Sequence, residues 1–406
     1  DIFPNALQSR HPKHFAFIPG PASDEAVFGD LMVGAHNIHT SNWINATGAY
    51  AIEKNLINWA AQHIGYDINQ AGGLFVSGGS MANLTALIAA RDHQSSFADR
   101  HKTRVYVSDQ THHSVEKALL IVGYHPQQII AIPSNHKFQM EAELLEKQIE
   151  KDRQAGLIPA VIIASSGTTN TGSVDPIEAL AKISQKYQMW LHVDGAFGAS
   201  FLLVESQKAQ FKGIEYADSV SWDGHKMLYQ TYDSAMIIVK NKQHLLNSFS
   251  AEPEYLKDIS LNQHDNFGSM GVELTRPARA IKLWLTLQTL GEQEISRRLQ
   301  HSVTLAEYLA TSLKHKDHWQ IISGPQFGIV NFRYYDEQLS EDKLNKINKA
   351  ISDHLIADGQ QVIFTTILNN KTVLRMACLN YNLTKVELSN TVAEIEAILN
   401  KVKAKF

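Results

Sequence analysis

From residue 72 to residue 226 the sequence keeps repeating one pattern: a short apolar run, a turn of small or polar residues, then a stretch of helical spacing. The runs at 74–76, 105–108, 129–132, 160–164, 189–193 and 217–222 read as strands. Helices are expected between them from about residue 80, at 114–122, 140–155 and 177–187. The last follows Asp175-Pro176, an N-cap and N1 pair. Short apolar strands with helical crossovers make a mostly parallel sheet covered on both faces, an α/β domain. Ligands of such sheets gather at the carboxyl ends of the strands.

The chemistry-bearing residues of this stretch fall at those ends. His112 follows one strand, Ser166-Gly167-Thr168-Thr169 another, Asp194 a third and Lys226 a fourth. Singly, an aspartate after a strand is ordinarily a turn or cap, and a lysine after a histidine a solvated side chain. Together, an acid at one strand end and a lysine at the next are what pyridoxal phosphate chemistry needs. The lysine holds the cofactor as an imine, and the acid keeps the ring nitrogen protonated so that the ring accepts electrons. Gly195, Ala196 and Gly198 read as room for a flat ligand against the backbone. Ser77-Gly78-Gly79-Ser80 has the layout either of a capped helix start or of an anion site, with free N–H groups at the positive end of a helix. It matches neither GxGxxG nor a P-loop, which disfavours a nucleotide. His112, directly before a helix, is placed to stack on an aromatic cofactor.

Composition removes other classes. Net charge is −4 with no basic run, so no nucleic-acid partner is expected. No apolar run approaches the roughly 18 residues of a membrane span. The single cysteine, Cys378, lies in the apolar VLRMACL, which indicates core packing, no disulfide framework and a reducing compartment. With no secretory signal in DIFPNALQSRHPKHF, the expected location is cytoplasmic. HExxH, paired CxxC and GxSxG are absent, so neither a metal site nor the common hydrolase elbow is expected. His112 and His113, being adjacent, point in different directions and make a poor metal pair.

At 406 residues two domains are the natural division. Residues 1–40, rich in proline and histidine, read as an extended arm that must lie on something else, such as a second subunit. Residues 41–291 form the large domain, with a helix over 49–64 and another over 279–290 that Gly291 stops. Residues 292–406 form a small α+β domain in helix–strand–strand–helix order. The polar stretch 247–275 is long for a loop and reads as a lid or a surface loop.

The motifs SGGSMANLTALIAARD, SDQTHHSVEKA, SSGTTNTGSVDP, HVDGAFGAS and DSVSWDGHKML, in this order, resemble those of the group II pyridoxal phosphate-dependent amino acid decarboxylases. HPKHFAFIPG, ELTRPARAIKLW and TVLRMACLN extend the resemblance over nearly the whole chain. It implies the fold type I architecture, a large domain with a mostly parallel seven-stranded sheet beside a smaller C-terminal domain. It also implies a homodimer with the N-terminal arm on the partner. Residue by residue, Lys226 resembles the cofactor-binding lysine, Asp194 the partner of the ring nitrogen and His112 the stacking histidine. Gly79 and Ser80 resemble phosphate-loop positions, His225 the histidine beside the lysine, and Thr169 and Ala196 the residues flanking the ring.

The implied reaction is decarboxylation of an L-amino acid to an amine and CO2. Phe17 and Ile18 of the arm, with Trp43, resemble apolar pocket walls and favour an aromatic substrate over 2,4-diaminobutyrate or an acidic amino acid. An aminotransferase or lyase on the same fold, an aldehyde-forming relative and a non-catalytic relative are the alternatives. Two departures stand out. Asp194-Gly195-Ala196 replaces the commoner Asp-Ala-Ala, and 257–275 lacks the tyrosine that many members use to return a proton to the substrate carbon. His264 or His112 is then the expected donor, with Tyr255 at the base of the loop a weak substitute.

Overall fold

A computed structural model describes residues 2, 6–250, 266–359 and 361–405. The chain divides into two compact units, one of Ala22–Thr168 with Ser173–Gln293, the other of Asp1–Pro21, Thr169–Gly172 and Glu294–Phe406.

Among the described residues, the first unit holds a seven-stranded sheet in the order β1-β7-β6-β5-β4-β2-β3. The strands are β1 (Gly72–Val76), β2 (Thr103–Ser108), β3 (Ile129–Ile132), β4 (Ile158–Ser165), β5 (Trp190–Asp194), β6 (Ser219–Asp223) and β7 (Ala235–Val239). From β3 to β6 every pairing is parallel; β7 runs antiparallel to both β6 and β1. The mostly parallel α/β sheet expected from the alternation is therefore present. The reading had no strand at β7, which the apolar run AMIIV supplies; lying between β6 and β1, it is buried throughout.

Helices α1 (Asp24–His36), α2 (Thr47–Ile64), α3 (Gly79–Gln94), α4 (His113–Ile121), α5 (Ala142–Gln154) and α6 (Ile177–Tyr187) belong to this unit, with the short α7 (Gly224–Met227) and α8 (Gln243–Phe249). The core packs the apolar side of α3 (Ala82, Ala86, Leu87, Ala90) against Val105, Val161, Ile163 and Trp190 of the strands. Gly291, at φ 77° and ψ 158°, breaks the helix Ala280–Lys314 where a stop was expected.

Two local expectations are corrected. Residues 24–36 are helical rather than extended: Ser23 caps α1 by accepting the Ala26 N–H at 3.3 Å, and acidic Asp24 and Glu25 fill its first turn. Asp175 does not cap α6. Its carboxylate instead accepts the N–H groups of Met140 and Ser165, both at 2.7 Å, and Pro176 takes the N-cap position. Burial pushes that carboxyl up to about 6.

The second unit carries a four-stranded antiparallel sheet with β8 (Trp319–Gln326), β9 (Ile329–Tyr334), β10 (Phe364–Leu368) and β11 (Lys371–Ala377), ordered β10-β11-β9-β8. Helices Glu341–Asp358 and Lys385–Lys403 pack on it through Ile347, Ile351, Leu388 and Ile395. Cys378 is buried in the same core, as its apolar surroundings in sequence implied, and burial pushes its thiol up to about 12. Among the described residues no helix is long and apolar enough to cross a membrane.

Candidate active site

The site grows from two neighbouring strands whose alternate residues are polar although the strands are wholly buried. Side chains alternate across a sheet, so Trp190, His192 and Asp194 share one face of β5, and Ser219, Ser221 and Asp223 one face of β6. The parallel register sets His192 beside Ser219 and Asp194 beside Ser221. Buried polar groups must pair, and these do so in one continuous chain. The Trp190 indole N–H donates to Ser219 Oγ at 2.9 Å, and Ser219 Oγ lies 2.8 Å from His192 Nδ1. His192 Nε2 lies 3.0 Å from Asn83 Oδ1, and Asn83 Nδ2 donates to Asp194 Oδ2 at 3.0 Å.

The direction of this chain follows from the chemistry at its ends. An indole only donates and a carboxylate only accepts. Ser219 must then donate to Nδ1, and His192 carries its proton on Nε2. Burial holds the His192 imidazole well below its ordinary value, so it stays neutral. Asp194 Oδ1 accepts the Ser221 hydroxyl at 3.1 Å and the Ala196 N–H at 3.2 Å. Burial acts to raise the Asp194 carboxyl, but the field of Lys226 and the Ala196 N–H hydrogen bond outweigh it and hold the group below its usual range. Asp194 is thus a fixed, ionised carboxylate.

His192 carries a pH prediction. A histidine depressed in the folded state contributes stability that is complete above its unfolded value, about 6.5, and lost as pH falls toward its folded value. Denaturant unfolding should show stability declining as pH falls below about 6.5. His192→Gln should flatten that decline while lowering stability at pH 7. An unchanged acid slope in the variant would remove the assignment.

Lys226, on α7 just past β6, lies in the same cluster. Its Nζ is 3.3 Å from Asp223 Oδ2, and His225 Nε2 is 3.5 Å from the same oxygen. Above them α3 begins at Gly79 with no side chain capping its N-terminus. A Cβ on Gly79 would stand 3.0 Å from Ala196 Cβ and 3.1 Å from Asp223 Oδ2; one on Gly78 would stand 3.3 Å from His225. The two glycines therefore let the free N–H groups of the helix end approach the lysine turn. Gly195 and Gly198 serve another purpose than the room for a ligand read from sequence. A Cβ at either would strike the carbonyl oxygens of Ser221 (2.8 Å) or Ser166 (1.9 Å), so both answer to backbone packing.

His112 is the N-cap of α4. Its Nδ1 accepts the Ser114 N–H at 3.2 Å and lies 2.8 Å from Ser114 Oγ, which leaves the proton on Nε2. Asn83 Nδ2 also reaches Ser114 Oγ, at 3.4 Å, so one amide ties the His112 support to the Asp194 carboxylate.

The structure thus brings Lys226, His225, Asp194, His112, Gly79 and Ala196 into one neighbourhood, with Ser80 exposed on the first turn of α3. Of the other expected residues, one belongs to the core of this unit, three belong to the second unit and two fall outside the described residues. Trp43 packs partly buried against the core of the first unit. Phe17, Ile18 and Thr169 belong to the second unit, where Phe17 meets Phe364 edge-on at 5.4 Å and Ile18 is buried. His264 and Tyr255 lie outside the described residues. Phe267 is a core residue, 4.8 Å from the Tyr50 ring. Among the described residues no His, Cys, Asp and Glu group could hold a metal ion.

Asn83, Ser114, His192, Ser219 and Ser221 carry no role predicted from the sequence, and Asp223 only that of a turn residue. The available signal was a polar residue at every second position of a buried strand. Arg375 of the second unit carries no predicted role either. Arg375 is buried and, among the described residues, donates to the carbonyl oxygens of Ala16 (2.8 Å) and Thr169 (3.0 Å) and leaves Nη2 without a partner. Burial lowers it to about 10. A buried guanidinium with no carboxylate paired to it among the described residues is a candidate anion-binding group.

A lysine, a fixed acid and an uncapped helix N-terminus in one cluster fit a ring that carries an aldehyde, a basic nitrogen and a phosphate. Residues 2–335 match the family described as the pyridoxal-dependent decarboxylase conserved domain. The chain belongs to the pyridoxal-dependent decarboxylase family. It is 37% identical to an aromatic-L-amino-acid decarboxylase of Bacillus atrophaeus, over 100% of this chain and 85% of that one. It is 28% identical to an L-2,4-diaminobutyrate decarboxylase of Acinetobacter baumannii, over 99% and 83%. A crystal structure of Oryza sativa TDC with PLP and tryptamine superposes with a TM-score of 0.94 at 26% identity, covering 98% of this chain and 86% of that chain. The cofactor of this pyridoxal-dependent decarboxylase is pyridoxal phosphate, and its reaction class is amino acid decarboxylation.

Proposed function

We propose that this decarboxylase converts an aromatic L-amino acid to the corresponding amine and CO2, with Lys226 and Asp194 at the two ends of the cofactor ring. The observation that carries the role of these residues is the convergence of the Lys226 amine and the hydrogen-bonded Asp194 carboxylate beneath the free end of α3. The aromatic substrate is supported by the full-length relative at 37% identity.

In this reading Lys226 would hold the cofactor through its aldehyde group, its amine being the nucleophile of the cluster. Asp194 keeps a proton on the ring nitrogen, held ionised for that task by Asn83, Ser221 and the Ala196 N–H. The N–H groups at the start of α3, with His225 beneath them, hold the phosphate. Bound pyridoxal phosphate supplies an electron-accepting ring for the pair left behind by departing CO2. His112 would lie against the bound ring through an imidazole that burial keeps below its ordinary value, and so uncharged. His112 Nε2–H and His264 are the two candidates for returning a proton to the substrate carbon.

The experiment is to incubate the holoenzyme with a panel of L-amino acids, including tyrosine, tryptophan, 2,4-diaminobutyrate and glutamate, and to identify CO2, amine, aldehyde and peroxide. An aromatic amine with stoichiometric CO2 is the expected result. An aldehyde with peroxide, or activity confined to the other substrates, would overturn it. Asp194→Ala should retain the cofactor poorly and lose turnover by about 10²-fold or more, as for loss of a fixed electrostatic partner; near-normal turnover would remove the role given to Asp194.

A cytoplasmic homodimer is part of the same reading. Helix α1 leaves Phe28 (62%), Leu31 (62%) and Met32 (47%) exposed, an apolar face that a second copy would cover. Sedimentation should give a dimer, and a Phe28→Glu, Leu31→Glu double variant should shift it toward monomer. The free, buried Cys378 suits a reducing compartment.

A further inference from the structure

The turn assigned above to the cofactor phosphate also holds an acid. Asp223 is 1% exposed, and its two oxygens lie 3.1 and 3.3 Å from where a Cβ on Gly79 would be, directly at the start of α3. Oδ2 faces the two basic groups already named, Lys226 at 3.3 Å and His225 at 3.5 Å. Oδ1 is buried and, among the described residues, has no hydrogen-bond partner. A phosphate ester at the helix end, a dianion above its second ionisation near pH ~6, would stand beside this carboxylate. Two anions in such proximity in a buried site do not both remain fully ionised.

Lys226 faces Oδ2 and leaves Oδ1 unanswered, and the other neighbours do not reach Oδ1. His225 Nδ1 accepts the Ser234 N–H at 3.3 Å, so its ring proton is on Nε2 toward Asp223, and a second proton would break the Ser234 bond. Burial also lowers the His225 imidazole. The remaining charged or titratable groups whose fields reach the cluster are Asp194, His112 and Lys282, the last acting on His225 from an amine paired with Asp30 at 2.9 Å. Asp194 is held ionised by three donors, and the Nδ1 of His112 is taken by Ser114. Helix α3 meets Asp223 at Gly79, and its Asn83 is taken up by Asp194 and His192. Asp223 Oδ1 is the oxygen left to take a proton, and burial already inclines its carboxyl upward.

We propose that binding of the phosphate ester is coupled to uptake of one proton from solvent by Asp223, whose Oδ1–H then donates to a phosphate oxygen. Cofactor loading is then proton-linked, and weakens as pH rises. The inference rests on the reading of the α3 turn as the phosphate site.

The test uses the full chain freed of cofactor and titrated with 4-deoxypyridoxine 5′-phosphate, which keeps ring and phosphate but cannot condense with Lys226. Calorimetry near pH 8 in two buffers of different ionisation enthalpy counts the protons taken up. Wild type should take up about one proton more per ligand than Asp223→Asn, and should lose about tenfold in affinity per pH unit by linkage where the variant's affinity is flatter. Equal uptake in the two proteins, or binding by wild type with no uptake, would overturn the proton assignment and leave the phosphate site standing. Failure of wild type to bind the ligand would overturn the phosphate site and the proposal with it.

Discussion

Lys226→Ala should lose turnover by at least about 10³-fold, equivalent to about 4 kcal/mol of transition-state stabilisation. Borohydride reduction should fix the cofactor to wild type at Lys226 and fail to fix it to the variant. The structural reason is that Lys226 is the amine that β6 and α7 deliver to the carboxylates of Asp223 and Asp194 beneath the free end of α3. Its removal does two separable things. It takes away the nucleophile, and it leaves Asp223 and Asp194, 1% and 8% exposed, without their ammonium. Lys226→Arg separates them, since a guanidinium keeps the charge but does not condense with an aldehyde. The arginine variant should therefore be as inactive as the alanine variant and closer to wild type in thermal stability. Turnover within tenfold of wild type in either variant, or borohydride labelling of another lysine, would end the assignment of Lys226.

Why the lysine was visible in the sequence while its surroundings were not has a physical explanation. The parallel sheet is legible because each strand is a short apolar run bounded by turn residues, and the topology then dictates that strand ends converge. Lys226 and Asp194 stand at such ends, so convergence alone singles them out. The supporting chain from Trp190 to Asp194 depends on register, which a single strand does not specify: His192 meets Ser219 only because β5 and β6 pair in that alignment. Asn83 lies in the middle of a helix and looks like an ordinary polar position until α3 is laid on that face of the sheet. Helix α1 was missed because PGPAS and the histidines around it signal irregular chain, whereas the Ser23 cap and the acidic first turn signal a helix start. Its hold comes from tertiary packing: Gly29 lies against Lys282, whose amine reaches Asp30 at 2.9 Å. Asp175 was misread for a related reason. A local cap was the nearest use for a carboxylate before a proline, but two backbone N–H groups from distant segments offered a better one.

Arg276→Leu should cost about 3–5 kcal/mol of stability, the range for breaking one side of a buried ion pair. Arg276 and Glu53 are both 0% exposed and pair in a bidentate geometry, Nη1 to Oε2 at 3.0 Å and Nη2 to Oε1 at 2.5 Å. Their position explains why charge is kept there. β1 is an edge strand, and an edge presents unpaired backbone groups. At Phe75 both are taken up by this pair: Glu53 Oε1 accepts its N–H at 2.8 Å, and Arg276 Nη2 donates to its carbonyl oxygen. Thr40 and the Phe267 ring complete the enclosure of the guanidinium. Losing the arginine strands an ionised carboxylate and a carbonyl in an apolar site, whereas losing both charges removes the uncompensated anion. Glu53→Leu, Arg276→Leu should therefore be more stable than Arg276→Leu alone, a coupling that a double-mutant cycle measures directly. Phe75 is also three residues before Gly78, so loosening β1 should disturb the turn that opens α3. Arg276→Leu is expected to retain pyridoxal phosphate less well than wild type although Arg276 contacts none of Lys226, Asp194 or Asp223. A single variant within about 1 kcal/mol of wild type in denaturant unfolding, with the cycle showing additive effects, would mean that water or a rearranged neighbour satisfies Glu53 and that the pair is dispensable.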